Sequence, residues 1–421
     1  MRILWVKANK ILPVRSGGDI RSFNLVKQLA KRDELIFLSY YDGAADGEYE
    51  KQLQQYLPGA ICVATGKRQD SVLARGVDYL LHSANAAPYS VSRFASGKVR
   101  QRLQECLDRE SPDVVVCDFL DGAVNFPAEL TVPSVLFQHN VESEIWRRHA
   151  ETSTSLGKKQ IYKREFAKML RYERAMVRKF DHVIAVSEHD RSLMSAWVDA
   201  SRIDVVPTGV DLEQYRFEEN AQPARPLVVF VGAMDWEPNV DGVEHFCATV
   251  WPVITAQVPE AVFRIVGRNP GRRVQNLAGA SVEVTGSVPS VIEHLREAAV
   301  VVVPLRIGGG TRLKIYEAMA ARKAVVSTSV GAEGLDVHHG RNIILADSPD
   351  AFTSSILMLL RDADLRKRYE RAAAELAARY DWPVVAKMFE SVLEKVVASA
   401  HSAKPLTDRL TGVLNQQKGM C

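Results

Sequence analysis

The sequence has little of what staples a chain or embeds it in a membrane. Its five cysteines, Cys62, Cys106, Cys117, Cys247 and Cys421, are scattered, with no CxxC pair and no regular spacing. That argues against a disulfide framework and a zinc site, and fits a reducing, cytoplasmic compartment. No apolar run approaches the roughly 18–20 residues of a membrane span. Met1–Val6 enters a strand pattern directly, without the charged-then-apolar layout of a signal peptide. A soluble chain is expected, attached at most to a membrane surface. Charge of one sign is also scarce: the formal net charge is +3, too small to imply nucleic acid. Short tandem repeats are absent. What remains is 421 residues with 47% hydrophobic content, a length beyond what one core usually supports.

Short runs of Val, Ile and Leu recur between helix-period segments: Arg2–Val6, Leu35–Tyr41, Val114–Asp118, Ser134–Phe137 and His182–Val186, then Leu227–Val231, Val262–Val266, Val300–Pro304, Ala324–Ser327 and Asn342–Leu345. Runs that are apolar throughout suit strands buried on both faces of a parallel sheet. Alternation with helices predicts α/β architecture, doubly wound. The pattern restarts after a polar stretch near Glu213–Asn220. Two Rossmann-like domains are therefore expected, 1–215 and 216–381. A helix at 382–400 should pack back on the first domain through Val385, Met388, Phe389, Val392 and Val396, and 401–421 is a polar tail. Open α/β sheets bind ligands at the carboxyl ends of their strands, so two such domains predict an interdomain cleft.

The stretch from Pro304 to Ala320 carries the sharpest chemistry. A buried strand ends at Pro304, Gly308, Gly309 and Gly310 follow, and a helix is predicted from about Thr311. Free N–H groups at a helix start, approached through glycines, make an anion site. Arg312 and Lys314 sit in the first turn, where the helix dipole disfavours cations by roughly 0.3–1 kcal/mol each. A bound diphosphate would reverse that sign. Glu317, three residues beyond Lys314, could accept two ribose hydroxyls; the plainer alternative is a Lys314–Glu317 surface pair.

This stretch, with Phe230–Gly242, Val206–Asp211, Phe137–Glu142 and Ala324–Thr328, resembles the retaining glycosyltransferases of family 4, of polysaccharide and glycolipid assembly, and does so in order along the chain. The resemblance implies a GT-B fold, two facing Rossmann-like domains, with the second holding the donor. It implies transfer from a nucleoside diphosphate sugar to an acceptor hydroxyl on a glycan or polyprenyl-linked glycan, with retention and without an obligatory metal or other cofactor. Exopolysaccharide assembly is the expected setting. Two departures stand out. Many members carry a glutamate where this chain has Gly309, and an Arg and a Lys where it has Ala233 and Asn239. Arg312 and Lys314 are expected to supply that charge, Gly232 and Gly309 to let backbone approach the donor, and the base to be read near Gly286–Val288.

In the first domain Gly17 and Gly18 follow strand one and lead into a helix containing Arg21, with Phe23, Val26 and Leu29 at core spacing. By resemblance this loop lies beside the reacting sugar: Gly18 joins the donor contacts, and Gly17, Arg21 and Glu142 are candidate contacts to acceptor or sugar. His139 is either a satisfied structural histidine or, as in related enzymes, a group touching the donor sugar. Glu142 either binds sugar hydroxyls or caps the next helix. Ser187, Glu188 and Gly209 read as cleft lining. Gly157–Lys179 carries nine Lys or Arg residues on a helical pattern with Tyr162, Phe166, Met169, Leu170 and Val177 inward. It is either a solvated basic face or a surface for an anionic membrane, such as the inner face of the plasma membrane. Nucleic acid is not expected, since no recognised module accompanies the charge. A nucleotide-sugar epimerase on the same architecture and a non-catalytic sugar-nucleotide-binding subunit are the alternatives.

Overall fold

The computed structural model describes residues 1–14, 16–66, 87–153, 155–215, 225–307 and 313–403. The chain divides into two compact units, one formed by Met1–Pro207 with the chain from Ala386 onward, the other by Thr208–Val385.

Unit 1 is built on seven strands: β1 (Arg2–Ala8), β2 (Glu34–Tyr41), β3 (Ile61–Ala64), β4 (Val114–Asp118), β5 (Ser134–Phe137), β6 (His182–Ala185) and β7 (Ile203–Val205). Their order in the sheet is β3-β2-β1-β4-β5-β6-β7, and every pairing is parallel. The order reverses between β1 and β4, where a crevice opens at the carboxyl ends of the strands in a doubly wound sheet. Ile3, Leu4, Trp5, Val6 and Val114–Cys117 are fully buried, as strands covered by helices on both faces must be. From Ala386 the final helix, Trp382–Ala403, belongs to this unit. The Phe389 ring lies tilted against Trp5, with centroids 5.3 Å apart, and edge-on to Phe137 at 5.0 Å. Burying such a side chain stabilises by about 1.5–3 kcal/mol. Phe389 and Val396 are buried as expected, whereas Val385, also buried, belongs to the other unit, Met388 is exposed and Leu393 takes the inward position.

Unit 2 repeats the plan with β8 (Leu227–Val231), β9 (Val262–Val266), β10 (Val282–Gly286), β11 (Val300–Val303), β12 (Ala324–Ser327) and β13 (Ile344–Leu345). The order is β10-β9-β8-β11-β12-β13, again all parallel, with its reversal between β8 and β11. The unit begins at Thr208 rather than near 216 because Val210 bridges to Asp381: Val210 N donates to the Tyr380 carbonyl at 2.7 Å, and Trp382 N to the Val210 carbonyl at 3.2 Å. Gly209 belongs to this junction. A Cβ there would stand 2.5 Å from the Trp382 ring, so the position is one of packing. Among the described residues no helix is long and apolar enough to cross a membrane.

Candidate active site

In unit 1, parallel pairing brings the last residues of β1, β4 and β5 to one edge of the sheet. Lys7 and Asp118 are register partners, as are Asp118 and Phe137. The buried Lys7 Nζ lies 3.5 Å from Asp118 Oδ2 and 3.9 Å from Asp19 Oδ1, and donates to Ser22 Oγ at 3.3 Å. Trp5 Nε1 donates to Asp118 Oδ2 at 2.9 Å. Burial alone would push Asp118 up; the Lys7 charge and His139 outweigh it and hold the carboxyl well below its usual range. Asp118 is therefore an anion.

His139 follows β5 and is 5% exposed. Its ring lies between Phe137 and Phe119, with centroids 4.6 and 5.1 Å away, and Nε2 is 2.9 Å from Asp118 Oδ1. Burial, only partly offset by Asp118, pulls the imidazole down to about 4, so it is neutral at pH 7. Phe119 holds φ +77° and ψ 157°, a region that costs a non-glycine residue about 1–3 kcal/mol. That conformation sets its ring against His139.

Gly18 sits in the first turn of the helix Gly17–Leu29, and a Cβ there would stand 3.0 Å from His139 Nδ1. The glycine is what lets the imidazole reach the helix start. Ser16 caps this helix: Asp19 N donates to Ser16 Oγ at 3.1 Å and Ser16 N to Asp19 Oδ2 at 3.2 Å. The helix thus brings its own carboxylate to its positive end, which suits hydroxyl ligands better than phosphate. Arg21 is wholly enclosed; burial pulls it down to about 10, against the Asp190 and Asp118 charges, which push it up. The inward residues of the helix are Arg21, Ser22, Leu25, Val26 and Leu29, with Phe23 packed edge-on to Tyr56. Beside the helix start is a cavity of about 420 Å³ lined by Lys10, Leu12, Pro13, Asp19, Asp46 and Tyr49 among others.

Glu142 opens the helix Glu142–Thr152, and it does not cap it. That role falls to Glu173, on the helix Leu156–Lys179. The fully buried Glu173 carboxylate accepts from Glu142 N at 2.7 Å, Ser143 N at 3.0 Å, Ser143 Oγ at 2.6 Å and Gln138 Nε2 at 3.0 Å. Burial, then Asp121 and Glu173, push half-buried Glu142 up to about 8. Burial also pushes Glu173 up to about 7. Ser187 caps the helix Glu188–Met194 by accepting from Asp190 N at 3.1 Å, while Glu188 is exposed and pairs with Arg191.

In unit 2, Gly308, Gly309, Gly310, Thr311 and Arg312 lie outside the described residues. The helix Leu313–Ala320 follows them and presents Lys314 at its start. Lys314 Nζ donates to Asn239 Oδ1 at 2.7 Å and stands 4.4 Å over the Phe230 ring. Asn239 Nδ2 donates in turn to the Ala233 carbonyl at 2.8 Å. A Cβ on Gly232 would stand 2.8 Å from both Lys314 Nζ and Asn239 Nδ2, so Gly232 is the opening through which the ammonium reaches the end of β8. Neutral Asn239 thus holds a cation where the family resemblance leads one to expect a Lys. Glu317, one turn on, is half-buried; burial pushes it up, against the Tyr215 hydroxyl and the Lys314 charge, which pull it down. Tyr215, buried and facing Glu317, has no sequence signal of its own. Asp235 accepts from Asn269 Nδ2 at 3.0 Å, and Trp236 is 39% exposed. Gly286 ends β10 with φ +71°.

The profile of the family described as "Glycosyltransferase Family 4" matches residues 16–214, and that of "Glycosyl transferases group 1" matches residues 225–362. A phosphatidyl-myo-inositol mannosyltransferase of Mycobacterium leprae is 32% identical over 226 residues, covering 51% of this chain and 59% of that protein. The protein of that name from Mycolicibacterium smegmatis is 28% identical over 225 residues, 51% of this chain and 57% of its own length. The match therefore spans little more than half of these relatives. Among solved structures, Anabaena HepE in complex with UDP is similar at a TM-score of 0.63 and 16% identity, over 94% of this chain and all of that one. TarM is similar at a TM-score of 0.65 and 11% identity, over 93% and 99%. These likenesses, with the two parallel sheets, make the fold GT-B. With a glycosyltransferase profile on each unit, the chain belongs to glycosyltransferase family 4.

Proposed function

We propose that the chain transfers a sugar, with retention and without a metal, from a nucleoside diphosphate sugar to a hydroxyl of a glycan or polyprenyl-linked glycan. The observation that carries this reading is Lys314. Its ammonium is fixed by Asn239 and the Phe230 face at the carboxyl end of β8, beside a helix start that disfavours cations unless an anion is bound. Breaking the bond between the anomeric carbon and the phosphate oxygen leaves negative charge on the diphosphate. Lys314, and Arg312 from the glycine-rich segment, would stabilise it as fixed charges. The acceptor oxygen bonds to the anomeric carbon on the face the diphosphate leaves, and its proton passes to a departing phosphate oxygen. Glu317 is the partner for ribose hydroxyls, with Tyr215 orienting it. Gly232 and Gly308–Gly310 would let backbone approach the donor, and the Gly286 turn would read the base. UDP in the HepE structures makes uracil the first base to test.

In unit 1, His139, Gly17, Gly18 and Glu142 are the candidates for hydroxyl recognition, and the acid-lined cavity suits a neutral glycan better than a phosphate. The mannosyltransferase relatives support a glycolipid or polysaccharide setting. The helix Leu156–Lys179 exposes Lys158, Lys163, Arg164, Arg171 and Arg174 with Leu156 and Ile161, which favours a cytoplasmic enzyme resting on an anionic membrane. Salt-sensitive flotation with anionic liposomes is the expected result; no flotation would remove the membrane from the account.

Incubation with UDP-, GDP- and ADP-sugars and a panel of acceptor glycans, in EDTA, tests the reaction. The expected product is a glycoside of the donor's own anomeric configuration, seen by proton NMR. An inverted product would overturn retention. A donor converted without acceptor would point to epimerisation, and donor binding with no turnover to a binding subunit.

A further inference from the structure

Two cations flank the glycine-rich segment of unit 2 along the chain, Arg306 before it and Lys314 after it, and one helix holds both. The helix Glu237–Thr249 carries Asn239, Asp241 and Gly242 in its first two turns. A Cβ on Gly242 would stand 2.9 Å from the Pro304 carbonyl oxygen, so the helix lies directly against the end of β11. The Asp241 carboxylate accepts from Arg306 Nε at 3.0 Å and from Arg306 Nη2 at 2.5 Å. Buried Asn239 accepts from Lys314 Nζ at 2.7 Å.

The two holds differ in charge. Arg306 and Asp241 form a two-pronged ion pair, in which the guanidinium charge is cancelled where it stands. Asn239 is an amide and cancels nothing. Its Nδ2 donates to the Ala233 carbonyl at 2.8 Å, which fixes its oxygen as the atom turned to the ammonium. The Phe230 face, 4.4 Å from Nζ, is also uncharged. Glu317, one turn further along the helix of Lys314, feels the ammonium, but burial pushes that carboxyl up. For folding alone a carboxylate at 239 would be the better partner of a half-buried ammonium, because opposite charge offsets desolvation that a neutral amide leaves standing.

We propose that Asn239 is a positioning residue that holds Lys314 at the end of β8 with its charge kept for the diphosphate of the donor, while Asp241 makes Arg306 a strut tying the end of β11 to the same helix. This rests on the donor reading above. The neutrality of Asn239 is the point: it fixes the ammonium in place and leaves the charge for a ligand to meet.

Titration calorimetry with UDP, GDP and ADP on the full chain, and saturation-transfer NMR with the matching uncharged nucleosides, test it. Asn239→Asp keeps the size of the side chain and the oxygen facing Lys314, but cancels the charge. It should weaken whichever diphosphate binds wild type by roughly tenfold or more, as Lys314→Ala does. The variant also loses the bond to the Ala233 carbonyl, and the nucleoside controls for that: it should bind as it does to wild type. Arg306→Gln, which removes a charge already cancelled, should stay within about threefold of wild type. Diphosphate binding unchanged in Asn239→Asp overturns the proposal, as does a loss in Arg306→Gln as large as in Lys314→Ala. An equal loss of the nucleoside would make Asn239 structural only, and overturns it too. Should Asn239→Asp not fold, the comparison of Arg306→Gln with Lys314→Ala decides. If none of the diphosphates binds wild type, the donor reading fails and this inference falls with it; wild-type binding with no loss in Asn239→Asp defeats this inference alone.

Discussion

Lys7 brings one positive charge into a space shared with Asp118 and Asp19, and elsewhere in the same unit burial pushes the Glu142 and Glu173 carboxyls up. Glu142, raised from 4.5 to about 8, keeps a proton in the folded state that the unfolded chain has released. Its contribution to stability is whole below pH 4.5 and is lost as pH rises to about 8; Glu173, raised to about 7, acts in the same direction. His139, lowered from 6.5 to about 4, costs stability as pH falls through that interval. Between pH 6.5 and 8 the unfolded His139 gives up only the remaining half of its proton, so the two glutamates, releasing theirs in the folded state, dominate the slope there. The melting temperature of the wild-type chain should fall across that window, and Glu142→Gln should flatten the fall. An identical slope in the variant would show that Glu142 is not held neutral.

The helix Glu142–Thr152 carries no side-chain cap of its own, and its start is held by Glu173 from the helix Leu156–Lys179. Glu173→Ala leaves the Glu142 and Ser143 amides without their acceptor and should cost about 2–3 kcal/mol in urea denaturation. A loss below about 0.5 kcal/mol would mean that the helix start is held by something else. This capping was not legible in the sequence, because Glu173 is one of two acids in a strongly basic helix and its target lies 30 residues upstream. Lys7 and Asp118 were missed for a related reason. Each ends an apolar run in the ordinary way, and only parallel pairing across 111 residues makes them neighbours. The interior strands were legible at close to their true bounds, since burial on both faces forces continuous apolar runs. The missed strands β3, β7 and β10 are sheet edges, three to five residues long, where partial exposure breaks that pattern. Glycine signals were ambiguous for a different reason: Gly18 and Gly232 admit His139 and Lys314, whereas Gly209 only admits Trp382.

On the scale of the whole chain, one architecture is used twice with opposite electrostatics at the strand ends. In unit 1 the helix after β1 brings its own acid, Asp19, to its start; in unit 2 the helix after β11 brings Lys314. That contrast supports the proposed division, with hydroxyl recognition in the first unit and the diphosphate in the second, and Lys314 is its sharpest point. Calorimetric titration of UDP, GDP and ADP into the wild-type chain and Lys314→Ala tests it most directly. At least one of these nucleotides is expected to bind, and the substitution to weaken it by roughly ten- to a hundredfold, the worth of a charge-assisted contact. Binding of equal strength in both proteins, or none of the three nucleotides binding to the wild type, would contradict it.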